Sequence, residues 1–275
     1  MTDKWLRATA RSRPVTFTRI DPTVPNMARV WNYMTGGRDN FEADRQAARQ
    51  LTEIAPVLVD MGLAGRAFLR RVVRHLASDA GIRQFLDLGP GIPTGGNTHE
   101  IAQSVAPQCR IVYVDNDPVV LAHARALLWS SPQGVTSFID ADVREPRKII
   151  ASARETLDFR QPVALVMVDI LNRVEDDDVT VILGTLLAAV PPGSFLAVMH
   201  PASDLDETLV AAQEKWNEIA APPVWLRDLA AFTAWFDGLE LVEPGIVEVP
   251  KWRPADGDPA SEGVLPLYVA VGRKP

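Results

Sequence analysis

The spacing of apolar positions changes once along the chain, near residue 83, and the change divides the molecule. Before it, residues 57–76 place Leu58, Met61, Leu63, Phe68, Leu69, Val72, Val73 and Leu76 at steps of mostly three and four. That period gathers them on one face of a helix. Residues 41–51 carry alternating charge (Glu42, Asp44, Arg45, Arg49) among good helix formers, and Pro56 breaks the run. The stretch up to residue 80 therefore reads as helical.

Beyond residue 83 short apolar runs alternate with helical periods. The strand-like runs are 84–88, 110–114, 135–139, 163–168 and 195–200, then 240–242 or 246–249, and finally 267–271. Helical stretches at 99–105, 118–128, 147–154 and 179–190 separate the first five, and two more, 205–219 and 226–236, precede the last pair. Strand–helix alternation with short connections predicts an open, mostly parallel, doubly wound α/β sheet. Several strands are almost wholly apolar, as expected when helices cover both faces. No helix separates the final two strands, which predicts a terminal hairpin and one antiparallel strand. The division expected is a basic arm at 1–20, a helical cap at 21–80 and a sheet domain at 81–275.

Composition narrows the class. Hydrophobic residues make up 47% and charged residues 23% of the 275, which fits a folded globular chain and not a disordered one. The single cysteine, Cys109, excludes an internal disulfide framework and a paired-cysteine zinc site, and the four histidines show no metal-ligand spacing. A net charge of -7 lowers the expectation of a nucleic-acid partner. The apolar stretch 162–171 is too short to span a bilayer, and 183–199 contains Pro191-Pro192-Gly193, so no membrane span is expected. The arm carries Lys4, Arg7, Arg11, Arg13 and Arg19 against Asp3 with no apolar core behind them, so it is not a secretory signal. A cytoplasmic protein is the expectation.

Four strand ends carry the chemistry. The first strand ends in Asp87-Leu88-Gly89-Pro90-Gly91-Ile92-Pro93-Thr94. Gly89 and Gly91 permit a tight turn and close approach of a ligand to the backbone. The crevice at such strand ends is where these sheets bind nucleotide-type ligands. The dinucleotide fingerprint is incomplete: Thr94 stands at the third glycine position, with Gly95 and Gly96 displaced. Pro90 and Pro93 also remove backbone donors that a pyrophosphate needs. Asp87 beside the loop suits a cation and repels phosphate. S-adenosylmethionine, with an ammonium, a sulfonium and no phosphate, fits that combination.

Asp115 ends the second strand, where an acid accepts hydrogen bonds from ribose hydroxyls, with Asn116 beside it. Asp117 before Pro118 reads as a helix N-cap. The third strand ends in Asp140-Ala141-Asp142-Val143. Asp142 is the candidate for the adenine amino group and the Val143 N–H for a ring nitrogen, with Asp140 as a turn residue. The fourth ends in Asp169-Ile170-Leu171-Asn172-Arg173, which places Asp169, Asn172 and Arg173 near the reacting end. Glu175–Asp178 reads as an acidic helix start favoured by the dipole. Trp216, Trp225, Trp235 and Trp252 are expected in the core, with an aromatic acceptor pocket as the alternative.

The ordered set of Asp87–Gly91, Asp115, Asp142 and Asp169 resembles the class I S-adenosylmethionine-dependent methyltransferases. Two further segments sharpen the likeness. They are Ala28-Arg29-Val30-Trp31-Asn32-Tyr33-Met34-Thr35-Gly36-Gly37-Arg38-Asp39-Asn40-Phe41-Glu42-Ala43-Asp44-Arg45 and Phe236-Asp237-Gly238-Leu239-Glu240-Leu241-Val242-Glu243-Pro244-Gly245. With them the chain resembles an actinobacterial family of such methyltransferases long classed as a domain of unknown function, over residues 20–275. The resemblance implies a Rossmann-like seven-stranded sheet, order 3-2-1-4-5-7-6 with the last strand antiparallel, and N-terminal helices over the cofactor crevice. It makes Arg29, Tyr33, Gly36, Gly37 and Arg38 candidates for the cofactor or substrate wall, with a Gly-Gly turn as the ordinary reading of the glycines. Cofactor contacts are then expected at Asp87, Gly89, Pro90, Gly91, Thr94, Asp115, Asn116, Asp142, Val143, Asp169 and Ile170. The chain departs from the family pattern at Asp169, where a small apolar residue is usual, and in lacking histidine near Asn172–Arg173.

The function expected is methyl transfer from S-adenosylmethionine to a small molecule, leaving S-adenosylhomocysteine. Alignment and electrostatics carry such a reaction, and a base is needed only for a hydroxyl or ammonium acceptor. Asp169, His200 and Tyr33 are the candidates for that base. A silent cofactor-binding regulator and an NAD-dependent oxidoreductase are the alternatives.

Overall fold

The computed structural model describes residues 20–127, 130–258 and 263–275. The basic arm, apart from Ile20, and Leu128 lie outside the described residues. In chain order the elements are α1 (Met27–Met34), α2 (Glu42–Ile54), α3 (Leu58–Ser78), β1 (Gln84–Leu88), α4 (Thr98–Val105), β2 (Arg110–Asp115), α5 (Pro118–Leu127) and β3 (Val135–Asp140). They continue with α6 (Pro146–Ala153), β4 (Ala164–Val168), a 3-10 turn (Leu171–Arg173), α7 (Asp176–Ala189), β5 (Phe195–Pro201), α8 (Glu207–Ile219) and α9 (Leu229–Ala234). Two short strands, β6 (Glu240–Leu241) and β7 (Val247–Glu248), a second 3-10 turn (Val249–Lys251) and β8 (Leu267–Arg273) complete the chain.

The sheet order is β3-β2-β1-β4-β5-β8-β6, with β7 also paired to β8. Strands β1 to β5 run parallel, and β8 runs antiparallel to β5. This is the expected order, with the edge strand in two pieces. The sequence left 240–242 and 246–249 as alternatives, and both pair with β8. Pro244 between them has no N–H to give the ladder, and the Gly245 N–H turns back onto Val242 O at 2.9 Å.

Side-chain alternation on the strands feeds two cores. Phe85, Ile111, Tyr113 and Val269 face Phe68, Val72 and Leu76 of α3. Leu86, Val112, Leu165 and Leu196 face Ile149 of α6 and Ile182 and Leu186 of α7. Every residue of β1 is buried, so the doubly wound reading holds.

Helix ends follow local chemistry. Asp117 caps α5 by accepting from the Val119 N–H at 2.7 Å, with Pro118 as the first helical residue. The helix expected at 226–236 is shorter because Asp228 caps its start, accepting from the Ala231 N–H at 2.8 Å. Helix α7 begins earlier than its apolar period, with Asp176, Asp177 and Asp178 in its first turn. Trp216 and Trp252 are fully buried, as expected of core tryptophans.

Candidate functional site

The carboxyl ends of β1, β2 and β4 open into a crevice of about 220 Å³, roofed by α1 and α3. The β1 turn forms its floor. Gly89 takes a positive φ of 70°, and a Cβ there would come within 2.6 Å of Ile170. Only glycine fits a left-handed residue pressed against that side chain. Asp87, 3% exposed, accepts from the Thr98 hydroxyl at 2.6 Å. Burial pushes its carboxyl up to about 6, against the opposing pull of that hydroxyl and of Arg66. Asp115 accepts from the Asp117 N–H at 2.9 Å and the Gly91 N–H at 3.3 Å, and burial lifts it to about 6 as well.

Asp169 lines the same crevice and sits at φ 61°, a left-handed conformation rare for a residue with a side chain. Its N–H donates to Met199 O at 3.1 Å, and its carboxylate accepts from the Asn172 amide at 2.7 Å. Burial raises it to about 6, offset in part by Arg173. Arg173 is itself lowered to about 10 by burial and lies 5.5 Å from the Trp216 ring centre.

Two smaller spaces adjoin the crevice. One, of about 90 Å³, shares Gly89, Asp115, Asn116, Ile170 and Arg173 with it and extends to Asp142 and Val143. Asp142 is held there by Arg144 at 2.7 Å and the Asn116 amide at 3.1 Å. The Arg144 bond chiefly keeps its carboxyl below the usual range. The other is an apolar recess of about 50 Å³ that shares Met27, Trp31, Met61 and Asp169 with the crevice.

The structure thus gathers Asp87, Gly89, Pro90, Gly91, Thr94, Asp115, Asn116, Asp142, Val143, Asp169 and Ile170 around one connected space. It sends the α1 candidates elsewhere. Arg29 is buried in an ion pair with Asp44 at 2.9 Å and also donates to Val24 O, so its charge fastens α1 to α2. Tyr33 lies beside Arg49 of α2. Gly36 (φ 84°) and Gly37 form the turn after α1, closed by the Gly37 N–H on Asn32 O at 2.7 Å, and Arg38 is exposed. None of the five lines the crevice.

His200 also departs from its expected place at the rim. It is 1% exposed, its Nδ1 donates to Pro201 O at 2.8 Å, and its Nε2 accepts from Arg227 at 2.9 Å. Burial, reinforced by that guanidinium, drives its pKa down to about 3, and it does not line the crevice.

Sequence reading missed Trp31, Gly62, Gly65, Arg66 and Met199 as crevice wall, and Arg173 lies there as expected. Two glycines inside a long helix were the available signal, because each weakens the helix unless something must come close. A Cβ on Gly62 would meet Thr35 at 2.9 Å, and one on Gly65 would meet Met199 at 2.9 Å. Among the described residues no group of three or more His, Cys, Asp or Glu could hold a metal, and no helix is long and apolar enough to cross a membrane.

A mostly parallel sheet with an acidic, glycine-lined crevice at its switch point defines a Rossmann-like fold with a nucleotide-type cofactor site. The family model described as S-adenosyl methyltransferase matches residues 14–275, so the chain belongs to that family and S-adenosylmethionine is its cofactor. A DUF574 family protein from Streptomyces avermitilis MA-4680 is 42% identical, with a TM-score of 0.88 over 94% of this chain and 100% of that one. A Thermobifida fusca YX protein, described as a proposed methyltransferase, is 40% identical with a TM-score of 0.83 over 92% and 96%. A methyltransferase dependent on S-adenosylmethionine from Anabaena variabilis ATCC 29413 shares the fold at 13% identity, with a TM-score of 0.50 over 93% and 98%. No curated protein matches the chain. The oxidoreductase and silent-regulator alternatives give way to a methyltransferase acting on a methyl acceptor.

Proposed function

We propose that the chain methylates a small molecule held in the crevice beside Asp169. The observation that carries this is the set of three enclosed carboxylates, Asp87, Asp115 and Asp169, each lifted to about 6 around one space. Such a site is short of positive charge, and a ligand with an ammonium and a sulfonium supplies it. The residues fit the cofactor end by end. The Asp142–Val143 space with Ile170 takes the adenine, and Asp115 takes the ribose hydroxyls. Asp87 draws the ammonium, and Arg66, which donates to Ile92 O at 3.1 Å on the same wall, draws the carboxylate.

When bound, the cofactor supplies an electrophilic methyl group for in-line displacement. Asp169 is the proton acceptor for a hydroxyl or ammonium substrate, because a carboxyl near 6 is mostly ionised at neutral pH and still basic enough to take a proton. Met27, Trp31 and Met61 from the two roof helices limit the acceptor to molecular size and keep water out. The net charge of -7 and the absence of a membrane-spanning helix among the described residues suit a small acceptor in the cytoplasm.

Calorimetric titration with S-adenosylmethionine, S-adenosylhomocysteine and NADH tests the site. Micromolar binding of both sulfur ligands with no heat from NADH is expected. Asp87→Ala and Asp115→Ala should each weaken S-adenosylmethionine by at least about tenfold. Unchanged affinity in both, with the fold intact, overturns the assignment.

A further inference from the structure

Arg173 stands apart from the other enclosed arginines. Arg29 pairs with Asp44 and donates to Val24 O. Arg71 bonds Asp258, Val249 O and Trp252 O. Arg227 bonds Asp176, two carbonyls and His200. Arg173 is partly buried, yet among the described residues its guanidinium makes no hydrogen bond and no ion pair. It lies over the Trp216 ring, 5.5 Å from its centre, and that ring is fixed by its N–H on Pro222 O at 3.0 Å. The guanidinium is thus held in place on one face, while its five donors stay unspent beside the crevice.

Two cations line the crevice among the described residues, and each faces a different acid. The charge of Arg66 favours ionised Asp87, and the charge of Arg173 favours ionised Asp169. The amino-acid end of the cofactor carries one ammonium and one carboxylate, which Asp87 and Arg66 take between them. Asp169 and Arg173 remain for a second molecule. They form no ion pair with each other: the Asp169 carboxylate is held by the Asn172 amide at 2.7 Å, and the guanidinium lies on Trp216. A free guanidinium fork matches a carboxylate with two parallel hydrogen bonds, which strengthen where water is scarce. We propose that Arg173 selects the methyl acceptor, taking the carboxylate of a small acidic molecule whose hydroxyl or amino group faces Asp169. Holding both ends aims the nucleophile, which a single contact cannot do. This deepens the methyltransferase reading and rests on it, since only that reading makes the bound acid an acceptor.

The probes are two pairs of near-identical shape, lactate with lactamide and 4-hydroxybenzoate with 4-hydroxybenzamide, in which only the carboxylate is exchanged. Each is titrated calorimetrically into the full-length protein at neutral pH, with and without saturating S-adenosylhomocysteine. In at least one pair the acid is expected to bind at least about tenfold tighter than its amide. Arg173→Gln removes the fork. It should shrink that preference to about twofold or less while leaving S-adenosylhomocysteine affinity within about twofold. Arg66→Gln should do the reverse, weakening S-adenosylhomocysteine by about tenfold and keeping the preference. Equal binding within both pairs, no binding of any probe, or a preference that survives Arg173→Gln overturns the proposal. So does a tenfold loss of S-adenosylhomocysteine affinity in Arg173→Gln, which would give Arg173 to the cofactor. Preference for the acids in a protein that does not take S-adenosylhomocysteine keeps the carboxylate site and overturns the cofactor assignment.

Discussion

Asp87 shows how a single side chain can favour function over stability. Its folded pKa of about 6 lies above the ordinary 3.8, because burial penalises the charged form. The folded state thus holds the proton more tightly than the unfolded one. The resulting destabilisation is absent below pH 3.8, grows between 3.8 and 6, and is complete above that window. At neutral pH it amounts to about 3 kcal/mol. Asp87→Asn keeps an acceptor for the Thr98 hydroxyl and removes the charge. The ligand-free variant should melt about 2–6 °C higher and bind S-adenosylmethionine at least tenfold more weakly. A lower melting point would mean that the carboxylate stabilises the fold. The same titration makes cofactor affinity fall as pH drops from 7.5 to 5, since protons then compete for Asp87, Asp115 and Asp169. A flat pH profile would remove these groups from the site.

At the scale of elements, the segment after β4 is held by a residue that no sequence pattern singles out. Arg227, 4% exposed, bonds Asp176 at the start of α7 at 2.7 Å, Leu171 O at 3.0 Å, Val174 O, and His200. These bonds clamp the 3-10 turn that carries Asn172 and Arg173 and follows the left-handed Asp169. Arg227→Met would take the guanidinium donors from Val174 O and the His200 imidazole nitrogen, while Leu171 O would keep the Val174 N–H at 3.2 Å. Denaturant unfolding should show a loss of roughly 3–5 kcal/mol, and Arg227→Lys should recover only part of it, because one ammonium cannot reproduce the planar fork. A loss below about 1 kcal/mol would show that the turn holds itself. The strand-end acids were legible because their position follows from chain order alone. The clamp was not, because it joins residues 51 positions apart through a fold that must exist first. The α1 candidates misled for a related reason. Arg29 sits in a distinctive segment, yet its charge is consumed by Asp44, whose carboxylate also accepts from the Phe41 and Asn26 N–H groups.

Across the whole molecule, the parallel sheet and its antiparallel return could be read from apolar runs, because each buried strand must be apolar over its length, whereas the strand order came from the family resemblance. The divided edge strand could not, because two residues of pairing leave no period to detect. Helix α3 could be read as amphipathic, but its two duties could not. Its first half presents Gly62, Gly65, Arg66 and Leu69 to the crevice, while Phe68, Val72, Val73 and Leu76 fill the core beneath the sheet. One helix therefore carries two separate records of selection. In a mutational scan read for both abundance and ligand capture, substitutions at Val72 and Leu76 should deplete the protein itself. Substitutions at Arg66 should leave the protein plentiful and blind to its cofactor. The junction at Phe68 and Leu69, where the helix passes from one duty to the other, is where variants of this enzyme have least room to diverge.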